Sequence, residues 1–165
     1  MKYGAIVVLA AASFAGPSKA QWMHQEHGGA FDGNAVQMAI AASASYGLAL
    51  RCRNSDDLEI IYLTPEATEA GTIEVMNAAS PTLLLRVDEN EMFELAATLE
   101  LANDGTVTAI SDAPITVPSQ VNSATTRVAA ALKILGQVFH ETEFKVNGST
   151  AATNVLSEKC GLSME

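Results

Sequence analysis

The chain has 165 residues, 48 % of them hydrophobic, and sets 19 acidic against 9 basic side chains for a formal charge of −10. A surface of that sign repels phosphate backbones and anionic headgroups while attracting cations, which disfavours nucleic-acid binding and electrostatic membrane docking. Neither G-x-G-x-x-G nor G-x-x-x-x-G-K-[ST] occurs, so no nucleotide or other cofactor has an evident seat, and none is expected.

Residues 1–20, "MKYGAIVVLAAASFAGPSKA", read as a signal peptide. Lys2 gives the positive start, Ala5 to Ala15 the apolar stretch, Gly16-Pro17 the break, and Ser18 and Ala20 the small residues that peptidase cleavage before Gln21 needs. Eleven apolar residues at ~1.5 Å each reach only about half of a ~30 Å hydrocarbon core, so the segment is too short to remain as a membrane anchor. Cleavage leaves 145 residues, enough for one domain, and removing Lys2 and Lys19 takes the formal charge to −12. An exported chain meets oxidising conditions, and its two cysteines allow a single pairing, Cys52 with Cys160.

Residues 21–34 are polar and glycine-bearing and read as a flexible lead-in, with Trp22 as an anchor onto the body. A single domain then spans 35–165. Within "AVQMAIAAS" (35–43), Val36, Met38 and Ile40 alternate as in a strand. In the next run Leu48, Leu50 and Cys52 share a face opposite Arg51 and Arg53, which points Cys52 inward, and "LEIIYL" (58–63) completes a hairpin. Thr64-Pro65-Glu66 has the form of a helix start, predicting a short helix to about Asn77.

"TLLLRV" (82–87) and "MFELAATLEL" (92–101) flank the acidic turn "DENE", with Phe93, Leu95, Ala97, Leu99 and Leu101 as the buried face, and "TVTAI" (106–110) follows as another strand. From Ser119 the pattern fits a period of about 3.6: Val121, Ala124, Thr125, Val128, Ala129, Leu132 and Leu135 form one stripe, predicting a helix capped by Ser119 and stopped by Gly136. "VFHETEFKV" (138–146) alternates again, with Phe144 and Val146 inward and Glu141, Glu143 and Lys145 outward. A last helix, capped by Ser149 or Thr150, carries Ala152, Val155, Leu156 and Cys160 on one face and stops at Gly161. The expected fold is therefore α+β: an antiparallel sheet of about six strands with two or three helices on one face and one disulfide.

Four groups of residues invite a chemical role. His24 and His27 flank an acid in "HQEH", but a third fixed ligand is not evident, so the segment is expected to be a solvated tail and its metal binding is left open. His140 lies next to Glu141, yet alternation turns it away from both Glu141 and Glu143, and a half-buried structural histidine is expected. Arg51 and Arg53 flank Cys52 but point to the other face, which favours a disulfide over a reactive thiol. The acidic stretches "NSDD" (54–57) and "DENE" (88–91) lack the spacing of a calcium loop and read as solvated turns. No catalytic, cofactor-binding or metal-binding residue is assigned.

"LALRCRNSDDLEIIYL" and "FKVNGSTAATNVLSEKC" together resemble a loose class of small exported proteobacterial proteins, with an early strand ending in Arg-Cys and a late Phe-x-x-x-Gly-Ser turn leading through a helix to a second cysteine. The early half is also distantly similar to a periplasmic accessory protein associated with type VI secretion. The resemblance implies a periplasmic or secreted envelope location and transfers no catalytic residue. The function expected is non-enzymatic: binding, as an accessory protein whose partner is a protein, cationic by charge complementarity. An inhibitor of a cationic secreted hydrolase such as a lysozyme, and a small hydrolase using His140 with acidic partners, are the alternatives.

Overall fold

The computed structural model describes residues 22–29 and 35–163; the expected leader, its cleavage point between Ala20 and Gln21, and part of the expected lead-in lie outside them. Among the described residues ten strands form two antiparallel sheets joined to three helices, which establishes an α+β fold. The strands are β1 (Met23–His27), β2 (Val36–Ser43), β3 (Tyr46–Cys52), β4 (Leu58–Ala67), β5 (Thr82–Val87), β6 (Phe93–Ala96), β7 (Thr98–Leu101), β8 (Thr106–Asp112), β9 (Arg127–Ile134) and β10 (Gln137–Lys145). The helices are α1 (Ala70–Ala78), α2 (Thr116–Ser123) and α3 (Ser149–Cys160). The six-stranded sheet runs β1-β2-β3-β4-β8-β7 and the four-stranded sheet β10-β9-β5-β6. A single core joins their inner faces, with Leu48, Leu50, Ile60 and Tyr62 from one and Leu83, Leu85, Leu132 and Phe144 from the other.

Of the expected lead-in, Met23–His27 forms strand β1. β1 pairs with β2 from Met23 opposite Ile40 to His27 opposite Val36, and the buried Trp22 donates its backbone N–H to the carbonyl of Asn147 at 2.9 Å. In β2 the inner face belongs to Gln37, Ala39 and Ala41, while Val36, Met38 and Ile40 look outward. Helix α3 packs across β1 and β2, and alanine methyls let its backbone approach closely. Its own start is set by Gly148, at φ 85°, with no side-chain cap from Ser149 or Thr150. A Cβ at Gly148 would stand 2.5 Å from the carbonyl oxygen of Trp22.

Thr64-Pro65-Glu66 opens no helix; it continues β4 to Ala67, and α1 begins after Glu69. The β4–β8 ladder shifts between Leu63 and Ala67, an irregularity that accommodates the proline's missing N–H. Thr64 is buried and donates its hydroxyl to the carbonyl of Val107 at 3.0 Å, which fixes the extended backbone there.

Residues 92–101 keep their expected alternation but belong to two strands: β6 pairs with β5, and β7 pairs with β8 in the other sheet. The switch falls at Ala97, whose N–H reaches the carbonyl of Pro81 at 3.0 Å.

The helix expected over 119–135 is largely absent. α2 ends at Ser123, and Arg127–Ile134 is a central strand held by β5 on one side and β10 on the other. Gly136 is the second residue of the two-residue turn into β10. "RVAAALKI" satisfies both periods because alanine fits a helical stripe or a strand face, and the ladders on either side decide.

Cys52, at the end of β3, and Cys160, at the end of α3, form a disulfide with Cα atoms 6.3 Å apart. It ties the terminal helix to the inner face of the six-stranded sheet, and Gly161 follows in the left-handed conformation, as the sequence predicts.

Candidate interaction site

The β9–β10 hairpin turns through Leu135 and Gly136, between Ile134 and its partner Gln137. Both turn residues have positive φ, 51° and 78°. That geometry matches a right-twisted hairpin and suits glycine, whereas a leucine in the left-handed region carries strain of order 1 kcal/mol. The strained leucine is also the most solvent-facing large apolar residue of the described chain at 82 % exposure, followed along the hairpin by Val138 at 51 % and Phe139 at 42 %. Residues 134–140, "ILGQVFH", carry no acidic or lysine/arginine charge.

Just beyond, β10 bulges between Phe139 and Thr142, and His140 sits in the bulge with φ 55°. The bulge aims the His140 carbonyl at the six-stranded sheet, where the hydroxyl of Tyr62 donates to it. Tyr62 stacks on Tyr46 with ring centroids 6.0 Å apart and meets Phe144 edge-on at 6.5 Å. Burial first, then Tyr46 and Glu141, hold the Tyr62 phenol above its ordinary value, so it remains a donor. These rings and the bonded carbonyl fix the root of a hairpin whose tip is bare. The His140 ring lies 6.3 Å from that of Tyr46 and is half-buried.

Two concavities flank the hairpin. One, of about 510 Å³, is bounded by Phe139, His140, Ile134 and Leu135 together with Met76 and Thr72 of α1 and Glu66 of β4. The other, of about 360 Å³, lies on the outward face of the four-stranded sheet and takes Val138, Glu141 and Glu143 as one wall. His140 and its two neighbouring glutamates therefore line different hollows, as alternation predicts, and Glu66 is the acid that shares the hollow of His140.

His24 and His27 do not converge. His24 and Glu26 lie on one face of β1, where His24 Nε2 meets Gln37 Oε1 at 2.9 Å and Gln37 Nε2 donates to Glu26 Oε2 at 3.0 Å; His27 alternates to the other face. Among the described residues no three His, Cys, Asp or Glu side chains gather into a metal-holding group. Both cysteines are consumed in the disulfide, so no thiol is available as a nucleophile.

The acidic turns are occupied by internal bonds. In "NSDD", Asn54 Oδ1 accepts from the N–H of Asp56 at 2.9 Å and Asp57 pairs with Arg53 at 2.7 Å. In "DENE", the Asp88 carboxylate accepts the backbone N–H groups of Arg127, Thr125 and Thr126 and the Thr125 hydroxyl, which lowers it to a pKa of about 2. The apolar hairpin tip is the feature that the sequence reading missed. Its signal was "LG" between two apolar alternating runs, which a helical reading of the preceding alanines obscured.

No protein-family model matches the chain, and no curated protein matches it. Among solved structures, the chain is similar to the crystal structure of invasion associated protein B from Bartonella henselae, at 13 % sequence identity and a TM-score of 0.52, over 86 % of this chain and 93 % of that one. The two proteins share a fold, and the disulfide that closes it here is consistent with export.

Proposed function

We infer that the protein is an exported, non-enzymatic binding protein of the bacterial envelope and that the β9–β10 hairpin tip is its contact element. The observation that carries this reading is Leu135, held at a costly backbone angle and left 82 % exposed beside Val138 and Phe139. Backbone strain and bare apolar surface are both selected against unless something uses them. The partner is a protein with an apolar pocket and a basic rim: the tip itself is uncharged, Glu66 borders the adjoining hollow, and the chain as a whole is strongly acidic. The early half's likeness to a type VI secretion accessory protein falls within this class.

The test places a photo-crosslinking residue at Leu135 or, on the far helix, at Glu158 in the full exported chain. The expected result is a discrete adduct with a basic protein from position 135 alone, weakening as salt is raised. Unlabelled parent protein in excess should compete that adduct away, and unlabelled Leu135→Asp should not, although it folds at least as stably because aspartate tolerates the left-handed backbone better than leucine. Equal adducts from both positions, or none from 135, would remove the assignment.

A further inference from the structure

The outward face of the four-stranded sheet has no helix packed across it among the described residues, yet Leu84 on that face is only 8 % exposed and Ala131 only 5 %. The reason is a difference in side-chain height. On this face β9 presents Arg127, Ala129, Ala131 and Lys133, while its neighbours present longer groups. Leu84 of β5 stands opposite Ala131, and Arg86 opposite Ala129, whose other neighbour is Glu143 of β10. The two alanines therefore floor a trough of about 360 Å³ running along β9, a volume at the lower end of small-molecule sites. Arg127 and Lys133 mark its ends, about 20 Å apart at ~3.3 Å per residue.

The charges along it are unevenly committed. Arg127 pairs with Glu143 at 2.6 Å and Glu89 at 3.1 Å, and Lys133 with Glu94 at 3.1 Å. The Arg86 side chain has no ion pair or hydrogen bond among the described residues, and neither has Lys145, which stands opposite Arg127 in the register. On an otherwise acidic protein, the wall of an apolar trough thus carries one uncommitted cation, Arg86, and Lys145 stands beside Arg127 at the strand end without lining the trough. Glu141 of β10, also without such a partner, lines the same trough.

The floor sets the rest of the ligand. Methyl groups offer no donor or acceptor, and the N–H and C=O groups of β9 are spent on the ladders at both sides. A peptide laid in the trough would leave its own amides unbonded, whereas an alkyl chain has none to strand. We propose that this trough binds a linear aliphatic carboxylate, with its chain along Leu84, Ala131 and Ala129 and its head on the guanidinium of Arg86. The planar fork of arginine matches a carboxylate in bidentate geometry.

The experiment titrates the intact, disulfide-bonded protein with decanoate below its micelle concentration, and in parallel with decanol, acetate and an N-acetylated tripeptide ending in leucine. Binding is followed by calorimetry and by amide chemical shifts. Decanoate should saturate, with shifts centred on Ala129 and Ala131, and bind roughly tenfold or more tightly than decanol, the scale of one charge-assisted contact. Arg86→Gln should lose a similar factor and Arg86→Lys regain part of it, both with unaltered melting temperature. Equal affinity for decanoate and decanol, an unchanged Arg86→Gln, shifts mapped elsewhere, or tighter binding of the peptide would each overturn the proposal.

Discussion

Asp88 stands where the β5–β6 turn meets the loop entering β9, at φ 51°, with its carboxylate over three consecutive backbone N–H groups. Thr125 and Thr126 precede the β9 ladder and Arg127 opens it, so the carboxylate accepts N–H groups at the point where strand pairing begins. The same bonds, led by the N–H of Arg127, lower its pKa from 3.8 to about 2. A depressed carboxylate stabilises the fold at pH values above its unfolded pKa, and the contribution disappears as pH falls through the folded value. The window is therefore from about pH 4 down to about pH 2. Asp88→Asn should lower the melting temperature at pH 7, and its deficit against the parent should shrink across that window. Melting curves of both proteins at pH 7, 4 and 2 read this directly; a deficit independent of pH would mean that shape rather than charge organises the loop.

Among the elements, two glycines separate necessity from accident. Gly148 opens α3 at φ 85° with the Trp22 carbonyl where a Cβ would go, whereas Gly71, in the first turn of α1, has no neighbour within 4 Å of that position. Gly148→Ala should cost at least about 1–2 kcal/mol from the left-handed backbone alone, and Gly71→Ala should gain about 0.4–1 kcal/mol. Urea denaturation of the two variants checks the opposite signs. This contrast also bounds what the sequence could reveal. Strand β3 was legible because Leu48, Leu50 and Cys52 alternate with polar or small residues, and β8 and α3 were legible for similar reasons. β9 was not, since alanine has no face preference and only pairing with β5 and β10 selects the strand. Thr64-Pro65 carried a true local preference that a buried threonine hydroxyl overrode. Of the candidate site, His140's separation from Glu141 and Glu143 followed from alternation, but the bare tip depended on recognising β9 as a strand.

At the scale of the molecule, the order of the chain gives the disulfide its leverage. β1 and β2 precede Cys52, which ends β3, and every strand of the four-stranded sheet lies within the 108-residue separation that the bond closes. The inner face of the six-stranded sheet is thus completed by segments far along the chain, whose return the crosslink assists by shrinking the unfolded ensemble. In the chain-entropy model a loop of this size contributes about 4–5 kcal/mol, a large share of the roughly 5–15 kcal/mol typical of a domain. Replacing both cysteines with alanine should therefore shift the urea midpoint strongly downward. It should also steepen the transition, because an unfolded chain without the crosslink exposes more surface and has a larger m-value. A lower midpoint at constant m would instead trace the loss to packing around Leu156 and Cys160 in the folded state, since both are core residues that touch the same interior. The two slopes, measured side by side, separate restraint of the unfolded chain from contacts made in the folded one.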